Sequence, residues 1–98
     1  MKQENKEKLY DKLVKTYGEE NQCFMCIEEM SELTKELLKF ERGDCGLDQY
    51  DRIAEEIADV RITLEQVIRI YDIEDDVNCW YERKLLRTRN RLLDTKQV

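Results

Sequence analysis

An all-α fold, a single four-helix bundle domain spanning residues 1–98, is predicted by three observations. The chain has no proline and only three glycines, Gly18, Gly43 and Gly46, so it contains few obligatory helix breaks. Apolar residues recur at the three- and four-residue spacing of amphipathic helices. An apolar share of 41%, equal to the charged share, suffices for one compact core in 98 residues and argues against disorder.

The first helix is predicted from about Glu4 to Tyr17, with Leu9, Leu13 and Val14 on one side and lysines on the other; Gly18 ends it. A long second helix follows from Glu19 to Arg42. The tract Arg42-Gly43-Asp44-Cys45-Gly46-Leu47 reads as a loop. Asp48, a good N-cap, opens a third helix through Tyr71. Asp72 to Asp75 form a tight connection whose acids suit a helix N-terminus, and the fourth helix reaches about Asp94.

Composition removes several chemistries. With no histidine, Ser-His and Cys-His triads, carboxylate-histidine iron sites and His-containing zinc sites are all excluded. Of the four cysteines only Cys23 and Cys26 are close, so the halves of a zinc ribbon are missing and the thiols are expected to act as buried apolar side chains. The opening MKQENKEKLY lacks the apolar core of a signal peptide and no run of about 18 apolar residues occurs. The expectation is a cytoplasmic protein with no membrane partner. The net charge of −6 makes duplex nucleic acid an unsuitable partner, because phosphate neutralisation dominates such binding.

That charge is unevenly distributed. Residues 28–59 hold 11 acids and 4 bases, whereas residues 80–98 hold 2 acids and 6 bases. At 100° per residue, Glu28, Glu29, Glu32 and Glu36 fall within roughly one 100° arc of the second helix, beside the apolar arc of Cys23, Cys26, Met30, Leu33 and Leu37. A charged arc ordinarily means a solvated face, but like charges at i,i+4 repel. In the third helix, Glu56 borders the apolar arc of Ile53, Ile57, Val60, Leu64 and Val67, with Asp59 about 60° round. Packing the two apolar stripes together would bring Glu29 and Glu32 opposite Glu56 and Asp59. Four carboxylates in one pocket stay ionised only when a cation joins them, and an all-oxygen donor set suits Mg²⁺ or Mn²⁺. A cation site and a solvated double face both fit the spacing.

The tracts Glu28-Glu29-Met30-Ser31-Glu32-Leu33 and Glu56-Ile57-Ala58-Asp59-Val60 resemble the EExxE…ExxD signature of the MazG-like, all-α nucleoside triphosphate pyrophosphohydrolases. The resemblance runs from about Gly18 through the fourth helix. It implies a helical bundle assembling as a homodimer or homotetramer. It implies Mg²⁺-dependent cleavage of a nucleoside triphosphate between the α and β phosphates, in the service of nucleotide pool sanitation. Position by position, the metal ligands implied are Glu29, Glu32, Glu56 and Asp59, with Glu28 in a catalytic, water-orienting role. Such chemistry needs neither histidine nor a covalent nucleophile, since phosphoryl transfer rests on positioning and charge neutralisation.

In the fourth helix Lys84, Arg87 and Arg91 lie within roughly 60° of one another, beside the apolar arc of Val77, Tyr81, Leu85 and Leu92. Either they balance nearby acids, or they contact the triphosphate, for which guanidinium groups are well shaped. The resemblance favours the second, through a looser basic pattern that follows the acidic motifs. Asn90 is expected to be a plain exposed residue, Trp80 and Tyr81 to pack in a core or interface, and Gln22 and Phe24 are minor candidates for a base pocket. Ile62, Ile70, Leu86 and Leu93 fall outside the main apolar arcs and predict a second buried surface, a subunit interface. Two alternatives remain: a phosphoribosyl-ATP pyrophosphohydrolase with related acidic helices, and a non-catalytic helical interaction module whose acids are solvated.

Overall fold

Four helices in a computed structural model account for nearly all of residues 1–44 and 46–96, the part of the chain described: α1 (Gln3–Tyr17), α2 (Glu19–Glu41), α3 (Gln49–Tyr71) and α4 (Glu74–Lys96). These bounds match the sequence expectation to within a residue or two. Cys45 lies outside the described residues. No helix is long and apolar enough to cross a membrane.

Each connection has a local cause. A single residue, Gly18, joins α1 to α2 at φ 90° and ψ 153°, and its N–H closes on the Val14 carbonyl at 2.7 Å. That backbone region is open to glycine and costly to other residues. After α2, Gly43 takes φ 78° while the N–H groups of Gly43 and Asp44 return to the Phe40 and Lys39 carbonyls. Asp48 is the N-cap of α3, but its side chain binds Arg52 Nε at 3.1 Å instead of a free backbone N–H. Asp72, at φ 55°, caps α3 in the left-handed region, and the Ile73 N–H reaches the Ile68 carbonyl at 3.2 Å. This is the Schellman arrangement, which stops a helix in a fixed direction.

The principal packing is the α2–α3 hairpin. Contacts run in opposite order along the two helices, from Glu36 with Gln49 at one end to Cys23 Sγ with Tyr71 Oη at 3.5 Å near the other, so the pair is antiparallel. Its seam differs from the expected one. The residues buried along it are Gln22, Cys26 and Glu36 from α2, and Gln49, Val60, Thr63 and Gln66 from α3. They lie on the boundary between each helix's acidic arc and its apolar arc, so the seam is largely polar. Consequently the two apolar stripes do not face each other: Met30, Leu37, Ile57 and Leu64 are all exposed.

Helix α1 packs on a different side of α3. The Tyr10 hydroxyl donates to Glu65 at 2.5 Å, and Arg69 donates to Asp11 at 2.5 Å with Glu7 3.8 Å away. Tyr10 is buried, and burial together with Glu65 pushes its hydroxyl up to about 12, so it remains a donor throughout the ordinary pH range. The fourth helix corrects the bundle expectation. Its described side chains, Val77, Trp80, Tyr81, Leu85, Leu86, Leu92 and Leu93 included, are all exposed. The Asp72 cap aims α4 away from the hairpin, leaving it joined to α3 at its start. Cys79 on this helix is exposed as well, whereas Cys26 is buried as expected.

Candidate metal centre

A buried hydrogen-bonded pair ties the two helices together at one end of the hairpin. Gln49, buried at the first turn of α3, donates from Nε2 both to the Glu36 carbonyl at 3.0 Å and to Glu36 Oε2 at 2.8 Å. This bond, with Lys39 Nζ 3.5 Å from the same carboxylate, holds Glu36 below the usual glutamate range. Glu36 therefore belongs to a structural lock, although it shares the acidic arc of α2. Glu29 lies seven residues before Glu36, and Glu56 lies seven residues after Gln49. Seven residues rise about 10.5 Å on either helix, so in an antiparallel pair the lock places Glu29 beside Glu56.

Carboxylate oxygens of Glu29, Glu56 and Asp59 all lie within 4.8 Å of one another, on half-buried side chains. Burial raises the Glu29 carboxyl above its ordinary range, and the charges of Asp59, Glu56 and Glu32 and a hydrogen bond shared with Asp59 add to the rise. Burial likewise raises Glu56, with Asp59, Glu32, Glu55 and Glu36 contributing. Two neighbouring acids with raised affinities for protons mark a place that lacks positive charge. Glu56 Oε2 adds a sharper sign: it is fully buried and has no hydrogen-bond partner. Unpaired buried carboxylate oxygens are costly, and this one lies inside the cluster.

Of the residues singled out from sequence, the structure thus gathers Glu29, Glu56 and Asp59. Glu32 is exposed and outside the triad of converging oxygens, although its charge acts on both Glu29 and Glu56. Glu28 is exposed, one residue ahead of Glu29 and about 100° round the helix. Lys84, Arg87 and Arg91 are exposed on α4, and among the described residues none of them pairs with a carboxylate. Trp80 and Tyr81 are exposed too, so neither packs in the core of the single chain; Arg83 lies over the Trp80 ring at 5.3 Å. Asn90 is exposed as expected, and so is Phe24, whereas Gln22 is buried in the seam.

Sequence reasoning missed the Gln49 lock and the buried polar residues Thr63 and Gln66. Thr63 was discoverable as a polar residue on the same helical strip as Asp59, where its hydroxyl donates to the Asp59 carbonyl at 2.9 Å. Gln49 carried no signal, because a glutamine after an N-cap is ordinary. The chain matches no family profile, no curated protein and no solved structure.

Proposed function

We propose that this protein is a divalent-cation-dependent nucleoside triphosphate pyrophosphohydrolase, with Glu29, Glu56 and Asp59 at the centre of its metal site. One observation carries the metal assignment: a buried, unpartnered Glu56 oxygen within a group of three converging carboxylates. The donors fit the ion. They are oxygens only, as Mg²⁺ and Mn²⁺ prefer, and three of them leave room for water and substrate oxygens in an octahedral shell. Glu32 supplies a fourth carboxylate within electrostatic reach and completes the set that the MazG-like motif implies. A bound ion would neutralise phosphate oxygens and acidify a coordinated water.

The protein's own residues then have distinct roles. Glu29, Glu32, Glu56 and Asp59 bind and orient, and Glu28, beside them at the solvent edge, positions the attacking water and accepts its proton. Water adds and the anhydride bond between the α and β phosphates breaks, releasing a nucleoside monophosphate and pyrophosphate. Lys84, Arg87 and Arg91 contact the triphosphate. Because α4 stands clear of the hairpin within one chain, these bases serve the site in an assembled form, a homodimer or homotetramer. The nucleotide preference belongs to residues outside the carboxylate cluster, and the reaction is compatible with a role in clearing unwanted nucleotides.

A panel of ribo- and deoxyribonucleoside triphosphates with Mg²⁺, scored for pyrophosphate release, tests the proposal. Release is expected with at least one substrate and is lost on adding chelator. Inactivity of the folded protein across the panel refutes the activity, and a Glu56→Gln protein with full turnover refutes the site.

A further inference from the structure

We infer that the cavity between α1 and the second half of α3 binds a small planar heterocycle whose edge offers an N–H to Gln66. The site is separate from the carboxylate cluster, and the inference does not depend on the proposed hydrolysis.

Helix α1 engages α3 through the Tyr10–Glu65 and Asp11–Arg69 contacts, and a cavity of about 240 Å³ opens beside them, with Lys15 and Glu19, on either side of the Gly18 turn, at its rim. Gln66 forms part of the cavity wall and is only 2% exposed, yet its Oε1 has no hydrogen-bond partner. A buried polar oxygen without a partner is destabilising, and native proteins rarely leave one unexplained. Gln66 sits where the α2 seam meets the side of α3 that carries Arg69, about 60° round. The terminal torsion of glutamine is soft, so a small rotation turns this oxygen to the cavity. Cavities of about 520 and 200 Å³ also adjoin Tyr10, but among the described residues neither is lined by a buried polar atom that lacks a partner.

The lining selects the kind of ligand. The Tyr10 hydroxyl is taken by Glu65 and the Arg69 guanidinium by Asp11, which leaves Gln66 as the buried group to be satisfied. The exposed rim carries two acids, Asp11 and Glu19, and two bases, Lys15 and Arg69, so it has no net charge and favours a neutral molecule over an ion. Val14, Ile70 and Tyr10 close the remaining wall with largely apolar surface. Water, at about 30 Å³ per molecule, would enter in numbers for which such a wall has few partners. The volume lies just below the roughly 300 Å³ at which pockets for drug-sized ligands begin, so it suits a single or fused ring. A carboxamide accepts one hydrogen bond and donates another side by side, the pattern with which glutamine holds the edge of adenine. Purine and pyrimidine rings present such an edge together with flat faces that pack on apolar and aromatic side chains. The ligand is therefore a nucleobase-like heterocycle, free or as part of a nucleoside or nucleotide. Gln66 lies seven residues beyond Asp59, about 10.5 Å along α3, which sets the cavity apart from the carboxylate cluster.

Binding of free bases, nucleosides and nucleoside triphosphates to the full-length protein is measured by calorimetry in chelator, where no metal assists. Saturable binding of at least one base type is expected, weakened about tenfold or more in Gln66→Met, which keeps the length of the side chain and removes its hydrogen-bonding groups. Without ligand, Gln66→Met should melt at the same temperature as the wild type or higher, because it deletes an unpartnered oxygen. A base or nucleoside that binds as tightly as its triphosphate identifies a free ligand; tighter binding of the triphosphate, lost in Gln66→Met, identifies the base of a nucleotide. Val14→Phe, which narrows the cavity and leaves Gln66 in place, should weaken binding as well, and it decides the outcome should Gln66→Met fail to fold. No saturable binding by the folded wild type, or undiminished binding by the variants, overturns the inference. A folded Gln66→Met protein with a lower melting temperature overturns it too, since the carboxamide would then be a structural group with partners of its own. Pyrophosphate release enters none of these readouts, so failure here is distinct from failure of the proposed function.

Discussion

Glu36 and Glu56 are both acids on the hairpin seam, yet their surroundings drive them in opposite directions, and stability should report the difference. Glu36 is lowered by the Gln49 hydrogen bond, so the folded state favours its ionised form. Its contribution is present above the ordinary value of 4.5 and is lost as pH falls through the lower folded value. Gln49→Ala should remove that acid-side dependence and lower the melting temperature at neutral pH. Glu29 and Glu56 are raised above 4.5, so without a cation the folded state binds more protons than the unfolded state. Their contribution is full below that value and declines as pH rises through the folded values. In chelator, thermal melts should therefore show stability falling from mildly acidic to neutral pH, and Mg²⁺ should restore more at pH 7 than at pH 5. Glu56→Gln should flatten both effects, raise the chelator-treated melting temperature at pH 7, and reduce turnover by about 100-fold or more, the scale of losing one essential electrostatic contact.

At the scale of elements, the connections are more tightly specified than the faces. Gly18 has nothing within 4 Å of where a Cβ would sit, so Gly18→Ala introduces no clash and its cost is the backbone alone. A loss of about 1–3 kcal/mol is expected, measured by denaturant unfolding, with the helix content of the folded protein unchanged. The four helices were legible because their punctuation is local: Gly18, the tract from Arg42 to Leu47, and the acids after Tyr71. That Glu29 and Glu56 border the apolar arcs, with Asp59 one turn further on, was legible because a helix has a fixed angular step; their expected convergence rested on facing apolar stripes, which the structure does not have. The seam was not legible. Acidic and apolar arcs adjoin on both α2 and α3, and angle alone does not tell which boundary two helices will share. The Gln49–Glu36 bond lies on the boundary the two helices share, and it depends on a buried glutamine that looks unremarkable in sequence. Gln49→Ala should accordingly weaken divalent-ion binding although Gln49 touches no ligand of the centre, while Gln49→Glu, which sets like charges together, should weaken it further. A Gln49→Ala protein with unchanged ion affinity would show that the register is held elsewhere.

For the whole molecule, charge and burial are both uneven. A single chain buries few apolar side chains, namely Tyr10, Cys26 and Val60 among the described residues, and leaves α4 uncovered. Such a chain leaves apolar sides of α2, α3 and α4, as well as its charged arcs, open to solvent. The acidic centre sits where the hairpin is locked by Gln49, and the basic stripe sits on the helix that leaves the hairpin. On the proposed function, assembly would bring them within reach of one phosphate chain. All of this depends on the carboxylate cluster being a cation site rather than a solvated face, and a calorimetric titration with Mn²⁺ tests that point most directly. A saturable heat is expected for the wild-type chain, abolished in Glu56→Gln and retained in Glu20→Gln, an exposed acid outside the cluster. No saturable binding by the folded wild-type protein, or equal binding by Glu56→Gln, would contradict the account.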